Sequence, residues 1–301
     1  MNIYAIIVTY NAMRRNWADR CLQSLQNSTT PVTAVVIDNG STDGTREYIP
    51  KHYPDAVWLP QERNLGFGQA NNIGLRYALE HEADYVLLLN QDASLHQQAV
   101  EYMLAGCDKQ SIVSPLQLNG DGTNFDEMFR RYSLPKTDQS ILYDLLNSQS
   151  LKPAYPIGEF AAACWFIPIE IIRSIGGFNP LFFQYGEDRN YYQRLVFHQF
   201  HSSLVPKAKM YHDRLVHGNT SVFNKNLFHN LIVLNFTDIN ISFYTSIKNF
   251  IRTILTCLFY KLPHKQYKIG TISKEVVWLI SHSRTLYHSR KTEKSKGTNW
   301  L

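Results

Sequence analysis

The chain has few cysteines and no CxxC pair: Cys21, Cys107, Cys164 and Cys257 are widely scattered. That spacing argues against a zinc site and against a disulfide framework, and leaves buried, reduced thiols as the plain reading. Also missing is any run of eighteen or more uncharged apolar residues, the length a bilayer-crossing helix requires. There is no basic leader with an apolar core and a small-residue cleavage site, because Met1-Asn2-Ile3-Tyr4 passes at once into an apolar stretch. The expectation is a cytoplasmic protein. Internal repeats are absent, and the one low-complexity piece is the polar tail Ser289 to Gly297, expected to be mobile.

The 301 residues, 44% of them hydrophobic, can bury a substantial core. The net charge of +5 is unevenly distributed. Residues 246–301 hold eleven Lys/Arg against two Glu, whereas the residues before them hold 19 basic against 23 acidic. A basic C-terminus attracts phosphates, whether of nucleic acid or of an anionic membrane.

Two apolar runs each end in an acidic, Gly- or Asn-rich corner: Ala34 to Ile37 before Asp38-Asn39-Gly40-Ser41-Thr42-Asp43-Gly44, and Tyr85 to Leu89 before Asn90-Gln91-Asp92. Such runs read as strands buried on both faces of a sheet, and ligands bind outside the carboxyl ends of such strands. The pattern predicts strands at 3–9, 33–37, 56–59, 85–89 and 111–114, with helices near 16–27, 43–50, 68–81 and 96–106 between them. Strands spaced by helices imply a mainly parallel α/β sheet. A polar excursion from Asn119 to Pro156 follows. A buried strand over 160–167, a short helix over 168–175 and a helix from Gly186-Glu187-Asp188 to about Phe200 come next, then short strands at 204–205 and 208–211. Beyond Val222 the pattern is helical, near 223–236, 241–262 and 271–288.

Several residues combine chemistry with placement. Thr9-Tyr10-Asn11 and Asp38 end adjacent strands, where a carboxylate can accept from a pyrimidine N3–H; ordinary turn and N-cap chemistry explains the same residues equally well. Asn64-Leu65-Gly66-Phe67-Gly68 leads into a helix whose first N–H groups could face a diphosphate. Asp92, at a strand end, can bind a hard cation bridging phosphate oxygens, with His212 a candidate second ligand; helix capping and a structural histidine are the alternatives. Glu187-Asp188 opens a helix, where the helix dipole alone accounts for two carboxylates and where one of them could also act as general base.

In this order, and with Asn71-Asn72, Gly176-Gly177-Phe178-Asn179 and Phe182-Phe183, the motifs resemble family 2 glycosyltransferases of the GT-A fold over residues 1 to 218. Within that family they look most like bacterial rhamnosyltransferase-type enzymes of surface polysaccharide assembly. The resemblance implies a Rossmann-like GT-A domain at 1–218 and a helical, basic C-terminal region at 219–301. It implies inverting transfer of a sugar, rhamnose among the candidates, from a dTDP- or UDP-sugar to a saccharide acceptor, and the basic C-terminus fits a lipid-linked one. Asp38 would contact the pyrimidine, with Thr9, Tyr10, Asn11, Asn64, Gly66, Asn90 and Gln91 also on the donor nucleotide. Asp92 and His212 would hold Mg²⁺ or Mn²⁺, Asp188 would be the catalytic base, and Trp165, Glu187 and Glu159 would lie toward the acceptor or sugar. Two departures stand out. Asn90 replaces the first carboxylate of the DxD motif, and Asn190 replaces an acid often found just after the Glu-Asp pair.

Helix 241–262 sets Phe243, Ile247, Phe250, Ile251, Leu255 and Phe259 among Lys248, Arg252 and Lys261, which suits lying in a membrane interface at the inner face of the cytoplasmic membrane; a packing helix whose Lys and Arg face water is the alternative. Three other classes fit less well. A nucleotidyltransferase brings a basic, glycine-rich phosphate loop after its first strand, and a dehydrogenase a glycine fingerprint; Tyr10-Asn11 stands there instead. An RNA-binding protein could use the basic tail, but the acidic crevice would repel a phosphate backbone, so no nucleic-acid partner is expected.

Overall fold

The structure, a computed structural model, describes residues 1–147, 149–214, 220–257, 259 and 269–301. The expected boundary at 218/219 and Lys261 lie outside the described residues. The strands are β1 (Ile3–Thr9), β2 (Thr33–Asp38), β3 (Val57–Trp58), β4 (Tyr85–Leu89), β5 (Ala93–Leu95), β6 (Ser111–Asn119), β7 (Tyr155–Pro156), β8 (Cys164–Pro168) and β9 (His201–His212). The α-helices are α1 (Trp17–Gln26), α2 (Thr45–His52), α3 (Phe67–Glu80), α4 (Ala99–Gly106), α5 (Ser140–Leu146), α6 (Ile169–Ile175) and α7 (Glu187–Phe197). The C-terminal set follows as α8 (Thr220–Thr237), α9 (Phe243–Thr256), α10 (Ile269–Ser281) and α11 (Ser283–Lys294).

One nine-stranded sheet runs in the order β3-β2-β1-β4-β8-β6-β9-β5, with β7 paired to β9. Its first half, β3 to β4, is parallel, as strands separated by crossover helices must be. Strand β8 runs antiparallel to both β4 and β6, and parallel pairing resumes between β6 and β9. Residues alternate between faces along β1. Ala5 and Ile7 belong to one buried layer with Cys21, Leu22 and Leu25 of α1 and Val100 and Met103 of α4, while Ile6 belongs to the other with Ala70 and Leu75 of α3, Ile172 of α6 and Tyr191 of α7. Each such fully buried aliphatic side chain is worth about 1.5–3 kcal/mol, so the two-sided core explains why β1, β2 and β4 carry continuous apolar runs.

Two expectations change here. The separate strands at 204–205 and 208–211 are one strand, β9, whose pairing with β6 slips between Pro115 and Leu116 where Pro206 has no N–H to give. The tail from Ser289 is also not loose. Helix α11 continues to Lys294 with Ser289, Arg290 and Glu293 buried, and beyond it Gly177 donates to the Asn299 carbonyl at 2.9 Å. The tail looked mobile because its polar residues find partners inside the protein rather than in water.

Candidate active site

Parallel register puts Thr9 opposite Asp38 at the carboxyl edge of the sheet. Thr9 and Asp38 are both buried, and the Asp38 carboxylate accepts from Thr9 Oγ1 at 3.4 Å, the Ser41 amide at 3.3 Å and Arg46 Nε at 2.8 Å. Arg46 also reaches the Gln61 carbonyl. Sequence reasoning missed Arg46, which lies on α2 eight residues beyond Asp38 and carries no motif of its own. Beside this pair Tyr10 is largely exposed, and its backbone is clamped by Gln91: the Tyr10 N–H donates to Gln91 Oε1 at 2.8 Å and Gln91 Nε2 donates to the Tyr10 carbonyl at 3.1 Å. Asn11 takes a left-handed turn at φ 53°, donates its N–H to Ser41 Oγ and accepts from the Thr42 N–H, both at 2.9 Å. The ends of β1, β2 and β4 are thereby cross-tied into one rim.

The glycine corner is used differently from the expectation. Asn64 Oδ1 accepts from Asn39 Nδ2 at 3.0 Å and from the Gly66 N–H at 2.8 Å, and Asn39 Oδ1 accepts from Leu65 N–H. The first amide of α3, on Phe67, donates to the Phe183 carbonyl at 3.2 Å, so that group faces protein and not a diphosphate. Gly66, at φ +83°, lies so close to Phe183 that a Cβ would sit 2.1 Å from its carbonyl oxygen. Asn72 holds the next segment with a reciprocal amide pair to Phe178, 2.7 and 2.8 Å. The motif therefore docks the 176–186 segment onto α3.

Asp92 and His212 meet because β5 pairs antiparallel with β9, Ala93 opposite His212, and the Asp213 amide donates to the Asp92 carbonyl at 2.8 Å. His212 Nε2 lies 3.2 Å from Asp92 Oδ1. On its other side, Arg214 Nη2 lies 3.2 Å from Nδ1, and buried Asp126 lies 3.5 Å from it. Arg214 Nε donates to Asp126 at 3.1 Å. Burial opposes the Asp126 charge, but Arg214, His212 and the Phe129 amide outweigh it and hold its carboxyl below the usual range. Asp126 and Arg214 were missed: the first sits in the polar excursion, the second just past β9. Asp213 also gathers Arg15 and Arg20 in ion pairs and the Trp17 indole N–H, fixing α1 against this corner.

Among the described residues no three His, Cys, Asp or Glu side chains are placed to hold a metal ion by themselves. The Asp92 side chain is 19% exposed, His212 faces it, and Asn90 Oδ1 is buried without a partner. A carboxylate and an imidazole beside a buried neutral oxygen are groups that could hold a hard cation drawing its remaining ligands from phosphates.

Glu187 and Asp188 open α7, behind Gly186 in the left-handed region at φ 99°. Glu187 is buried with Oε2 unpaired, and burial together with the Asp188 charge pushes it up to about 8. Asp188 is only partly buried. Its pKa too is raised, by desolvation and by Glu159, against the Arg189 and Ala162 amides that hydrogen-bond it. Glu159 in turn pairs with Arg189 at 2.8 Å and lies 3.7 Å from Lys136. Ala162 and Ala163 link this carboxylate to the Asn90–Asp92 corner, since Asn90 donates its amide to the Ala163 carbonyl at 3.0 Å. Trp165, by contrast, is 2% exposed and stacks in the core between Phe160, Phe178 and Tyr191. It backs the site and presents no surface to a sugar. Asn190 is likewise fully buried, bonded to Glu293, rather than facing an acceptor.

A family model described as glycosyl transferase family 2 matches residues 4–174. The chain belongs to glycosyl transferase family 2. As a family 2 glycosyltransferase it is an enzyme of the transferase class. It is 26% identical over 222 residues to the N-acetylglucosaminyl-diphospho-decaprenol L-rhamnosyltransferase of Mycobacterium tuberculosis, covering 65% of this chain and 71% of that one. It is also 27% identical over 126 residues to the dTDP-rhamnosyl transferase RfbF of Shigella flexneri, 41% of each chain. The fold matches S. aureus TarS 1-349 in complex with UDP, with a TM-score of 0.55 at 15% identity, over 98% of this chain and 88% of that one. GalNAc-T7 with UDP, GalNAc and Mn²⁺ matches with a TM-score of 0.57 at 18% identity, over 77% and 48%. The family 2 glycosyltransferase thus has the GT-A architecture, with its strand-end residues on one edge.

Proposed function

We propose that this family 2 glycosyltransferase moves a sugar, L-rhamnose, from its dTDP- or UDP-linked donor to a lipid-linked saccharide acceptor in surface polysaccharide assembly, with inversion at the anomeric carbon. The observation that carries the reading is the 3.2 Å contact between Asp92 and His212 on the same sheet edge as the Thr9–Asp38 pair. The relatives named for rhamnosyl transfer support the choice of sugar and of the lipid-diphosphate acceptor.

In this reading the pyrimidine docks against exposed Tyr10, and Asp38, which has no exposed surface, acts by bracing Arg46 and Thr9 at the rim. Asp188 takes the proton from the acceptor hydroxyl, whose oxygen attacks the anomeric carbon from the face opposite the leaving nucleoside diphosphate. Raised pKa values suit the task, since a stronger base removes a hydroxyl proton more readily. Glu187 is raised as well, by burial and by the Asp188 charge, so the two carboxyls titrate as a pair. Mg²⁺ or Mn²⁺, held by Asp92 and His212, would offset the charge on the departing diphosphate.

A thermal-shift panel of dTDP, UDP, their sugar conjugates, NAD and ATP, each with and without Mn²⁺, tests the reading. Stabilisation by the dTDP or UDP set, greater with Mn²⁺, is expected. Stabilisation by NAD or ATP alone would contradict it.

The membrane part rests on α9. Among the described residues no helix is long and apolar enough to cross a membrane. Helix α9 instead exposes Phe243, Tyr244, Ile247, Ile251 and Leu255 beside exposed Lys248 and Arg252, with Phe259 exposed beyond it, while Phe250 turns inward to Phe236 at 5.7 Å. An apolar strip bordered by cations suits the surface of an anionic bilayer. The chain is expected to float with phosphatidylglycerol liposomes and the I251E/L255E variant to stay behind. Equal flotation would remove α9 from the membrane contact.

A further inference from the structure

The C-terminal helix α11 reaches into the segment that carries the Glu187–Asp188 pair through one carboxylate. Glu293 is 1% exposed, and its Oε1 accepts from Asn179 Nδ2 and from Asn190 Nδ2, both at 2.7 Å. Asn179 ends the Gly-Gly-Phe-Asn turn, and its Nδ2 also lies 2.7 Å from Ser289 Oγ one turn earlier on α11. Asn190 lies two residues past Asp188 on α7 and also bonds Thr237 of α8 at 3.3 Å. The backbone of Glu293 takes part as well: its carbonyl lies 2.8 Å from His198 Nε2, just past the other end of α7. Fully buried Arg194, on the same helix, donates to the Ile175 and Gly177 carbonyls at 2.6 Å each. One carboxylate oxygen thus joins the start of the 179–186 loop to the first turn of α7, and the Asp188 carboxylate stands between those two anchor points in the chain.

We propose that Glu293 is a positioning residue for the transfer reaction, a latch from the C-terminal helix that fixes the first turn of α7 so that Asp188 is held toward the acceptor. The inference rests on the reading of Asp188 as the base. It also gives Asn190 a reason: an amide at this position donates to Glu293, where an acid would set two carboxylates against each other. The C-terminal helices then belong to the working enzyme, even though the family match ends at residue 174.

Release of nucleoside diphosphate from dTDP-L-rhamnose and from UDP-N-acetylglucosamine, with water as acceptor, is measured on folded variants. E293A is expected to lower kcat about tenfold or more with the donor KM within about twofold, because Asp38 and its partners are untouched. E293Q keeps the accepting oxygen and is expected within about threefold of wild type. N190D is expected to lose kcat like E293A, and N190D/E293Q, which restores one donor and one acceptor, to recover it. Wild-type kcat in folded E293A, or E293Q as impaired as E293A, would overturn the latch. D188N in the same assay separates the two claims: near wild-type turnover there sinks the base assignment, whereas an inactive D188N with unimpaired E293A and N190D sinks the latch alone. Amide exchange over residues 186–190 decides the matter for a chain that turns over neither donor. Faster exchange in E293A and N190D but not in E293Q is expected, and equal protection in all of them overturns the inference.

Discussion

D188N is expected to lose turnover by roughly 10³-fold while its affinity for the donor nucleotide stays within about twofold of wild type, as removal of a general base requires. The expectation follows from position. Asp188 sits at the first turn of α7, held by the Arg189 and Ala162 amides, whereas Thr9, Tyr10 and Asp38, the groups proposed to serve the nucleotide, stand at the ends of β1 and β2. Its partner Glu187 is more buried, with its pKa raised by burial and by the Asp188 charge, and E187Q keeps a group of the same size there, so E187Q is expected to preserve more activity than D188N. Single-turnover rates with saturating donor make the comparison, and near wild-type chemistry in D188N would remove Asp188 as the base. The pH profile carries a sign as well. Because the Asp188 pKa is raised, activity is expected to fall on the acid side at a higher pH than an ordinary aspartate would give.

Stability is expected to decline as pH rises from about 5 to 8, contrary to the usual behaviour of paired carboxylates. Burial and the Asp188 charge raise Glu187 from 4.5 to about 8, and burial raises Glu293 from 4.5 to about 7 against Arg194 and its two asparagine partners. In that window the folded chain keeps protons that the unfolded chain has lost, so each group contributes a penalty of about 1.4 kcal/mol per pH unit between its two pKa values. Below pH 4.5 both states hold the proton and the penalty vanishes. Melting temperatures measured from pH 5 to 8 should therefore fall, and E293Q should flatten the slope between 5 and 7 and melt higher than wild type at pH 8. A melting temperature that climbs across this range in the wild type would contradict the burial argument.

What could be read from the residues depended on whether local pattern or distant contact controls them. Strands β1, β2 and β4 declare themselves because burial on both faces makes them continuously apolar, and their ends are marked by Asp38 and Asn90-Gln91-Asp92. The three-residue strand β5 is too short for any periodicity, yet its pairing with β9 is what brings His212 to Asp92. Arg46, Asp126 and Arg214 escaped notice because a charged residue outside a motif reads as solvated surface until its buried partner is known. The same blindness made the Ser289–Gly297 tail look mobile: Glu293 acquires meaning only from Asn179 and Asn190, over a hundred positions earlier. Trp165 shows the opposite error. A large aromatic next to a site suggested a sugar contact, but strand alternation turns it into the core.

The central claim is that Asp38, Asp92 and His212 form one donor site, separate in function from Asp188. Calorimetric titration of UDP and dTDP in the presence of Mn²⁺ tests it most directly, on wild type, D38A, D92N, H212A and D188N. The account predicts that the first three substitutions each weaken binding of the preferred nucleotide about tenfold or more, that the Mn²⁺ dependence disappears in D92N and H212A, and that D188N binds like wild type. Undiminished, Mn²⁺-dependent binding in D92N and H212A would contradict it.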